Sequence, residues 1–157
     1  MTIKVRAVAL SDNNIGKKRY ELYKNVIERI NKSCEDGYHL EAIALIESLL
    51  SDRLESYLTF IKGEDFSFKT LERIIKNFKQ HQAEINDEEL SGFVLDELEK
   101  WKEKRNIALH EMAKIDLNNP ETWEQKSKGL ADIAKNGLIL FRKIDQQISK
   151  LRKKAQS

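Results

Sequence analysis

Apolar residues recur along this chain at alternating steps of three and four, the spacing of one face of an α-helix, from about residue 18 onward. Tyr20, Tyr23, Ile27, Ile30 and Cys34 predict a first helix over 18–34, ended at Asp36-Gly37, where glycine relieves the left-handed strain of a C-terminal cap. A second helix, over 38–62, carries the stripe Ile43, Ile46, Leu50, Leu54, Tyr57, Ile61 and beside it Ala42, Leu45, Leu49. A helix apolar on two sides sits centrally in its bundle, and Gly63 stops this one. A short third helix over 68–80 turns Leu71, Ile74, Ile75 and Phe78 inward. Asn86 followed by Glu89 resembles a capping box that opens a fourth helix, with Asp87, Glu88 and Glu89 complementing its N-terminus; the pattern fades near Ile115. Asn119-Pro120 predicts the start of a fifth, reaching about Lys153, on which Leu130, Ile133, Gly137, Phe141, Ile144, Ile148 and Leu151 share a face. Residues 2–9 partly alternate, which suits a short strand or an extended or disordered arm, and 11–16 read as a turn or loose linker. The pattern predicts an all-α, up-and-down bundle of about five helices with two long C-terminal helices: an N-terminal arm, 1–16, and a bundle domain, 17–157.

Helices four and five each come to roughly 30 residues, about 45 Å at 1.5 Å per residue. The short third helix cannot cover that length. The protruding halves call for a kink or a second chain, which leads us to expect a two-fold homodimer; fraying of the last turns is the other account.

Composition narrows the function more than the fold. At 157 residues the chain is long enough for one domain with a real core, and one proline, six glycines and 34% charged residues favour long helices with short loops. A net charge of +2 is no polyelectrolyte signal, and the basic positions Arg142, Lys143, Lys150, Arg152, Lys153 and Lys154 read first as solvated helix surface. Cys34 is alone, which excludes an internal disulfide framework and a cysteine zinc site and points to the cytoplasm. The longest apolar runs, such as 42–46, are too short for a bilayer, and no apolar stretch of secretory length opens the chain. His39 and His81 read as capping or surface residues. No His, Cys or carboxylate set has metal spacing, so neither a metal nor a cofactor is expected.

Candidate chemistry concentrates in Trp101-Lys-Glu-Lys-Arg105-Asn106-Ile-Ala-Leu-His110-Glu111. Arg105 stands in line with Leu90, Val94, Leu98, Trp101, Ala108 and Met112, so its guanidinium faces a protein surface. Burying it without a partner is costly: either something anionic meets it or the face opens onto a site. Arg105 and His110 lie about 140° apart around an ideal helix, whereas Asn106 and His110, four apart, share a face. A curled arginine or a distorted turn would bring all three around one volume. That set suits phosphodiester chemistry. A neutral histidine takes the proton from a ribose 2′-hydroxyl, or its protonated form gives one to the leaving 5′-oxygen. An arginine fork meets the non-bridging oxygens as charge builds there, and RNA supplies its own nucleophile. Two such sites across a dimer supply base and acid. Glu47 on the second helix is a weak substrate-binding candidate that could also pair with Arg105, with a solvent-facing glutamate the preferred reading; Trp101 is a weak substrate-binding candidate as a base-stacking surface, with core the preferred reading.

The segment Arg105-Asn106-Ile-Ala-Leu-His110 resembles the signature of the HEPN superfamily (higher eukaryotes and prokaryotes nucleotide-binding domains): arginine, a polar residue, a short gap, then histidine. The order of helices, with an amphipathic second helix over 41–50 ahead of the motif helix, is similar too. The resemblance covers about 18–153 in architecture and six residues in motif. It implies a compact helical bundle, commonly a homodimer with the motif near the dimer cleft, and in many members a metal-independent endoribonuclease of toxin–antitoxin or other defence systems. Carried over, Arg105 and His110 are the catalytic pair and Asn106 orients or assists; RNA, a second copy and an antitoxin protein are the implied partners. One toxin subgroup carries, two residues after the histidine, a tyrosine that a nucleotidyltransferase antitoxin modifies; this chain has Met112 there, which undercuts that particular partnership. Two other readings stand beside the enzyme: a non-catalytic module that binds RNA, a nucleotide or a protein partner, and a structural bundle in which Arg105 is sealed against a glutamate.

Overall fold

A computed structural model describes residues 14–63 and 68–157, so the expected arm over 1–16 lies almost wholly outside the described residues. The described residues hold six α-helices and no strand: α1 (Ile15–Glu35), α2 (His39–Lys62), α3 (Leu71–Gln80), α4 (Gln82–Ile85), α5 (Leu95–Glu111) and α6 (Trp123–Gln156). A π-helical turn, Glu89–Val94, runs directly into α5. This is the all-α bundle that the periodicity predicts.

The doubly apolar α2 is its centre, packing on α1, α3 and α6. Ala42, Ile43, Ile46, Leu49, Leu50, Leu54 and Tyr57 are buried, as are Leu71, Ile74, Ile75 and Phe78 of α3 and Leu130, Phe141, Ile144 and Ile148 of α6. Gly37 (φ 83°) and Gly63 (φ 71°) take the left-handed conformation that ends α1 and α2 without a Cβ clash. At the start of α1, Tyr20 departs from its stripe and is exposed.

α1 begins three residues earlier and α3 three residues later than the sequence expectation, and three further boundaries differ for a local reason. Asn86 does not cap a helix start; it closes the one-turn α4 in the left-handed conformation (φ 46°), which asparagine tolerates. The neighbouring Asp87 accepts from the Leu90 N–H at 2.8 Å, and Gln147 of α6 donates to the same carboxylate oxygen. Asn119-Pro120 lies in the loop before α6; Thr122 and Gln125 form the reciprocal capping box that starts it. The fourth predicted helix also ends earlier, at Glu111, and its first turns are π-helical, so Val94 and the adjacent Leu95 are both buried. Of the two long C-terminal helices expected, α6 alone has the full length, 34 residues or about 51 Å.

α1 is held to α2 and α6 by a polar contact as well as by packing. The Tyr23 hydroxyl donates to Asp52 at 2.5 Å, and its ring meets Phe141 edge-on at 5.7 Å. Burial, and the Asp52 carboxylate beside it, raise the Tyr23 hydroxyl well above its ordinary value of 10.0. Above that value the unfolded chain releases this proton while the folded chain keeps it. The contribution is therefore fully present below pH 10 and is lost as pH climbs, by about 1.4 kcal/mol per pH unit. Urea unfolding of the wild type is expected to weaken more between pH 9 and 11 than that of Tyr23→Phe; equal losses would contradict this.

Candidate functional site

The motif lies on α5, and packing against α6 fixes its first turn. Trp101 is buried; its Nε1 donates to the Ile133 carbonyl at 2.8 Å, and its ring rests on Gly137, where any Cβ would come within 2.8 Å of the indole. Trp101 is core, the reading preferred for it over a base-stacking surface: α6 uses the ring, and only 5% of the residue is accessible.

One turn on, Arg105 runs back over that indole, its guanidinium carbon 6.0 Å from the ring centre. Its fork closes on Glu47 of α2: Nη1 donates to Oε2 at 2.7 Å and Nη2 to Oε1 at 3.1 Å. The two side chains are 14% and 31% exposed. Glu47 thus meets the motif arginine, as the alternative for a partnered guanidinium requires. Two parallel charge-assisted bonds fix the orientation of both groups as one bond does not.

The structure does not gather the rest of the constellation within one chain. Asn106 and His110 are exposed, and among the described residues no hydrogen bond joins them to each other or to Arg105. α5 is regular from Leu95 to Glu111, so Arg105 and His110 keep their angular separation of about 140°, and the arginine extends away from the histidine. The π turn that distorts this helical run is at Glu89–Val94, well before the motif. Neither the curled arginine nor the distorted turn is present.

Sequence reasoning also missed how the motif helix ends. Lys126 of α6 donates to the carbonyls of Glu111 and, at 2.7 Å, Lys114. A cation thus satisfies orphan acceptors and complements the negative end of the helix dipole. Nothing local in the sequence marks Lys126 for this; it follows from α6 beginning where α5 stops. Beyond Trp101 the stripe residues Ala108 and Met112 still pack, half-buried, against the core; Ile107 and Leu109, off the stripe, and Ile115 and Leu117, past the end of α5, are exposed. A depression of about 280 Å³ between α5 and α6 is lined by Trp101, Glu97, Lys100, Lys104, Lys143 and Ile139 among others, but not by Arg105 or His110. His81 pairs with Glu84 at 2.7 Å and His39 opens α2. Among the described residues, no helix is long and apolar enough to cross a membrane.

Comparison of the chain with protein-family models, with curated proteins and with solved structures finds no match.

Proposed function

We propose that this chain is a metal-independent endoribonuclease of the HEPN type, working as a homodimer in the cytoplasm. What supports this is the motif itself, Arg105-Asn106 followed by an exposed His110 on one helix of an all-α bundle; the Arg105–Glu47 fork is the observation that speaks for a second reading. In the proposed reaction the ribose 2′-oxygen attacks phosphorus, the bond to the 5′-oxygen breaks, and a 2′,3′-cyclic phosphate forms. One His110 takes the 2′-proton and the His110 of the second copy gives a proton to the 5′-oxygen. The crowded phosphorane carries more charge on its non-bridging oxygens than the ground state, so Arg105 exchanges part of its contact with Glu47 for them at that stage. Asn106, exposed one turn before His110, orients the nucleotide. The groups of one chain diverge, so in this reading a second copy completes the site.

The test is incubation of the purified protein with single-stranded RNAs in EDTA, wild type beside His110→Ala. Cleavage that survives the chelator, ends in cyclic phosphate and disappears in the variant is the expected result. Inactivity of both proteins on varied RNAs, or equal cleavage by both, contradicts the proposal.

One observation favours a second reading. Arg105 is largely buried and both its terminal nitrogens bond Glu47, while its buried Nε has no hydrogen-bond partner among the described residues; this is the arrangement of a latch that ties α5 to α2 in a non-catalytic interaction module. Breaking a buried pair costs about 3–5 kcal/mol, and partial exposure of Glu47 brings the expected loss for Glu47→Ala down to about 1–2 kcal/mol. A latch alone predicts that loss in urea unfolding and no cleavage by any variant. The endoribonuclease predicts the same loss together with slower cleavage, because Arg105 loses its orientation.

A further inference from the structure

The depression between α5 and α6 carries three ammonium groups, those of Lys100 and Lys104 on α5 and of Lys143 on α6. One carboxylate, Glu97, is among its lining residues, and Lys143 takes it up at 3.3 Å. Lys100 and Lys104 are exposed, and among the described residues the side chain of neither makes a hydrogen bond or an ion pair. They stand four residues apart on one face of α5, about 6 Å along its axis. Like charges so placed repel one another across the turn, and nothing in the described chain offsets that repulsion. Between the lysines the lining is apolar: Ile133, Leu140 and the half-exposed Ile139. At the Lys143 end the π-helical turn puts Phe93 outside while Val94 and Leu95 turn in. The Phe93 ring is 64% exposed, and the Lys143 ammonium lies 6.0 Å from its centre.

A row of cations, two of them unpaired, with apolar surface between them and an exposed ring at one end is what a single nucleic-acid strand uses. Its successive phosphates meet the ammonium groups, and one of its bases stacks on the ring. A duplex keeps its bases stacked on one another and leaves the ring without a partner. We propose that the groove between α5 and α6 binds single-stranded RNA along its sugar–phosphate backbone, with Phe93 stacking a base at one end. The choice of RNA rests on the endoribonuclease reading. The groove deepens that reading by assigning a surface that holds the strand away from the bond to be cut, since neither Arg105 nor His110 lines it.

Fluorescence anisotropy with a short labelled oligouridylate, over a series of salt concentrations in EDTA, tests it. The full chain carrying His110→Ala is the parent protein, so that the proposed cleavage does not consume the probe. Saturable binding that weakens with salt is expected. Adding Lys100→Gln and Lys104→Gln together should lower the slope of log affinity against log salt by about 1.4, two phosphate contacts at about 0.7 each, and weaken binding about tenfold at low salt. Phe93→Ala should weaken binding about fivefold or more at every salt concentration and leave the slope unchanged, because a stacked base releases no counterion. All three side chains are exposed, so the urea midpoints of these variants should match the parent's, which separates lost binding from lost folding. An absence of binding, or a slope unmoved in the double lysine variant, overturns the groove. So does displacement of the probe by polyglutamate as readily as by unlabelled oligouridylate, which would mark a surface for an acidic protein segment, or binding of an RNA duplex as tight as that of the strand. Cleavage by the wild type beside an unmoved slope sinks the groove alone. Lysine-dependent binding without cleavage by the wild type sinks the endoribonuclease alone.

Discussion

On the proposed endoribonuclease reading, His110→Ala is expected to slow RNA cleavage by about 10²- to 10⁴-fold, the usual contribution of a positioned acid–base group. The fold should hardly notice. His110 is exposed, has no hydrogen-bond partner among the described residues, and sits in the last turn of α5, where alanine is the better helix former. Its unfolding midpoint should therefore match wild type, and this separates chemistry from stability. Arg105→Lys is the complementary variant. Lysine keeps the charge but cannot reproduce the two parallel bonds to Glu47. A loss of cleavage of about 10²- to 10³-fold is expected, the scale of removing one donor from a transition-state oxyanion, here with some loss of stability. Were His110→Ala as active as wild type, the imidazole would have no part in the reaction. Were Arg105→Lys to lose stability but no cleavage, Arg105 would be a latch and nothing more.

Elements with strong periodicity were legible in the sequence, and those decided by tertiary contacts were not. The two apolar stripes of α2 fixed its central place, and Gly37 and Gly63 marked real ends because each takes a positive φ. Asn86 and Asp87 are equally good caps on paper. Ile85 is buried against the core, and the chain reverses at Asn86 to put it there, leaving the capping to Asp87. Asn119-Pro120 satisfies the local rule for a helix start, but Thr122 has its glutamine three residues on and wins with two reciprocal bonds. The π turn leaves no clear sequence mark, since it moves the apolar phase by only one residue.

The candidate site was legible as chemistry and only partly as geometry. The stripe put Arg105 on a protein-facing surface, where it lies, but the sequence favours a solvent-facing Glu47, which instead meets the arginine. Which way the arginine turns depends on the Trp101 ring beneath it, and that ring is placed by a glycine 36 residues later, a contact that no local pattern announces. The lysine groove was illegible for a similar reason. Lys100 and Lys104 belong to one helix and Lys143 to another, and each alone looks like solvated surface.

That glycine supports the other large prediction, a contrast of sign within α6. In a helix interior, glycine costs about 1 kcal/mol relative to alanine. At Gly129 nothing lies within 4 Å of an added Cβ, so Gly129→Ala is expected to stabilise the protein by about 0.5–1 kcal/mol. At Gly137 the same methyl would stand 2.8 Å from three atoms of the Trp101 indole, which is buried and hydrogen-bonded to Ile133 and so has little room to withdraw. Overpacking of this kind costs about 1–3 kcal/mol, enough to reverse the gain in propensity, and Gly137→Ala is expected to destabilise. Urea midpoints of the two variants decide it, and stabilisation by both would mean the indole moves freely. The cause can be isolated as well. Trp101→Phe should cost less in the Gly137→Ala background than in wild type, with a coupling of at least about 0.5 kcal/mol, because the smaller ring relieves the clash. Trp101 is also the surface over which Arg105 reaches Glu47, so a displaced indole should weaken that fork and, on the proposed endoribonuclease reading, slow cleavage.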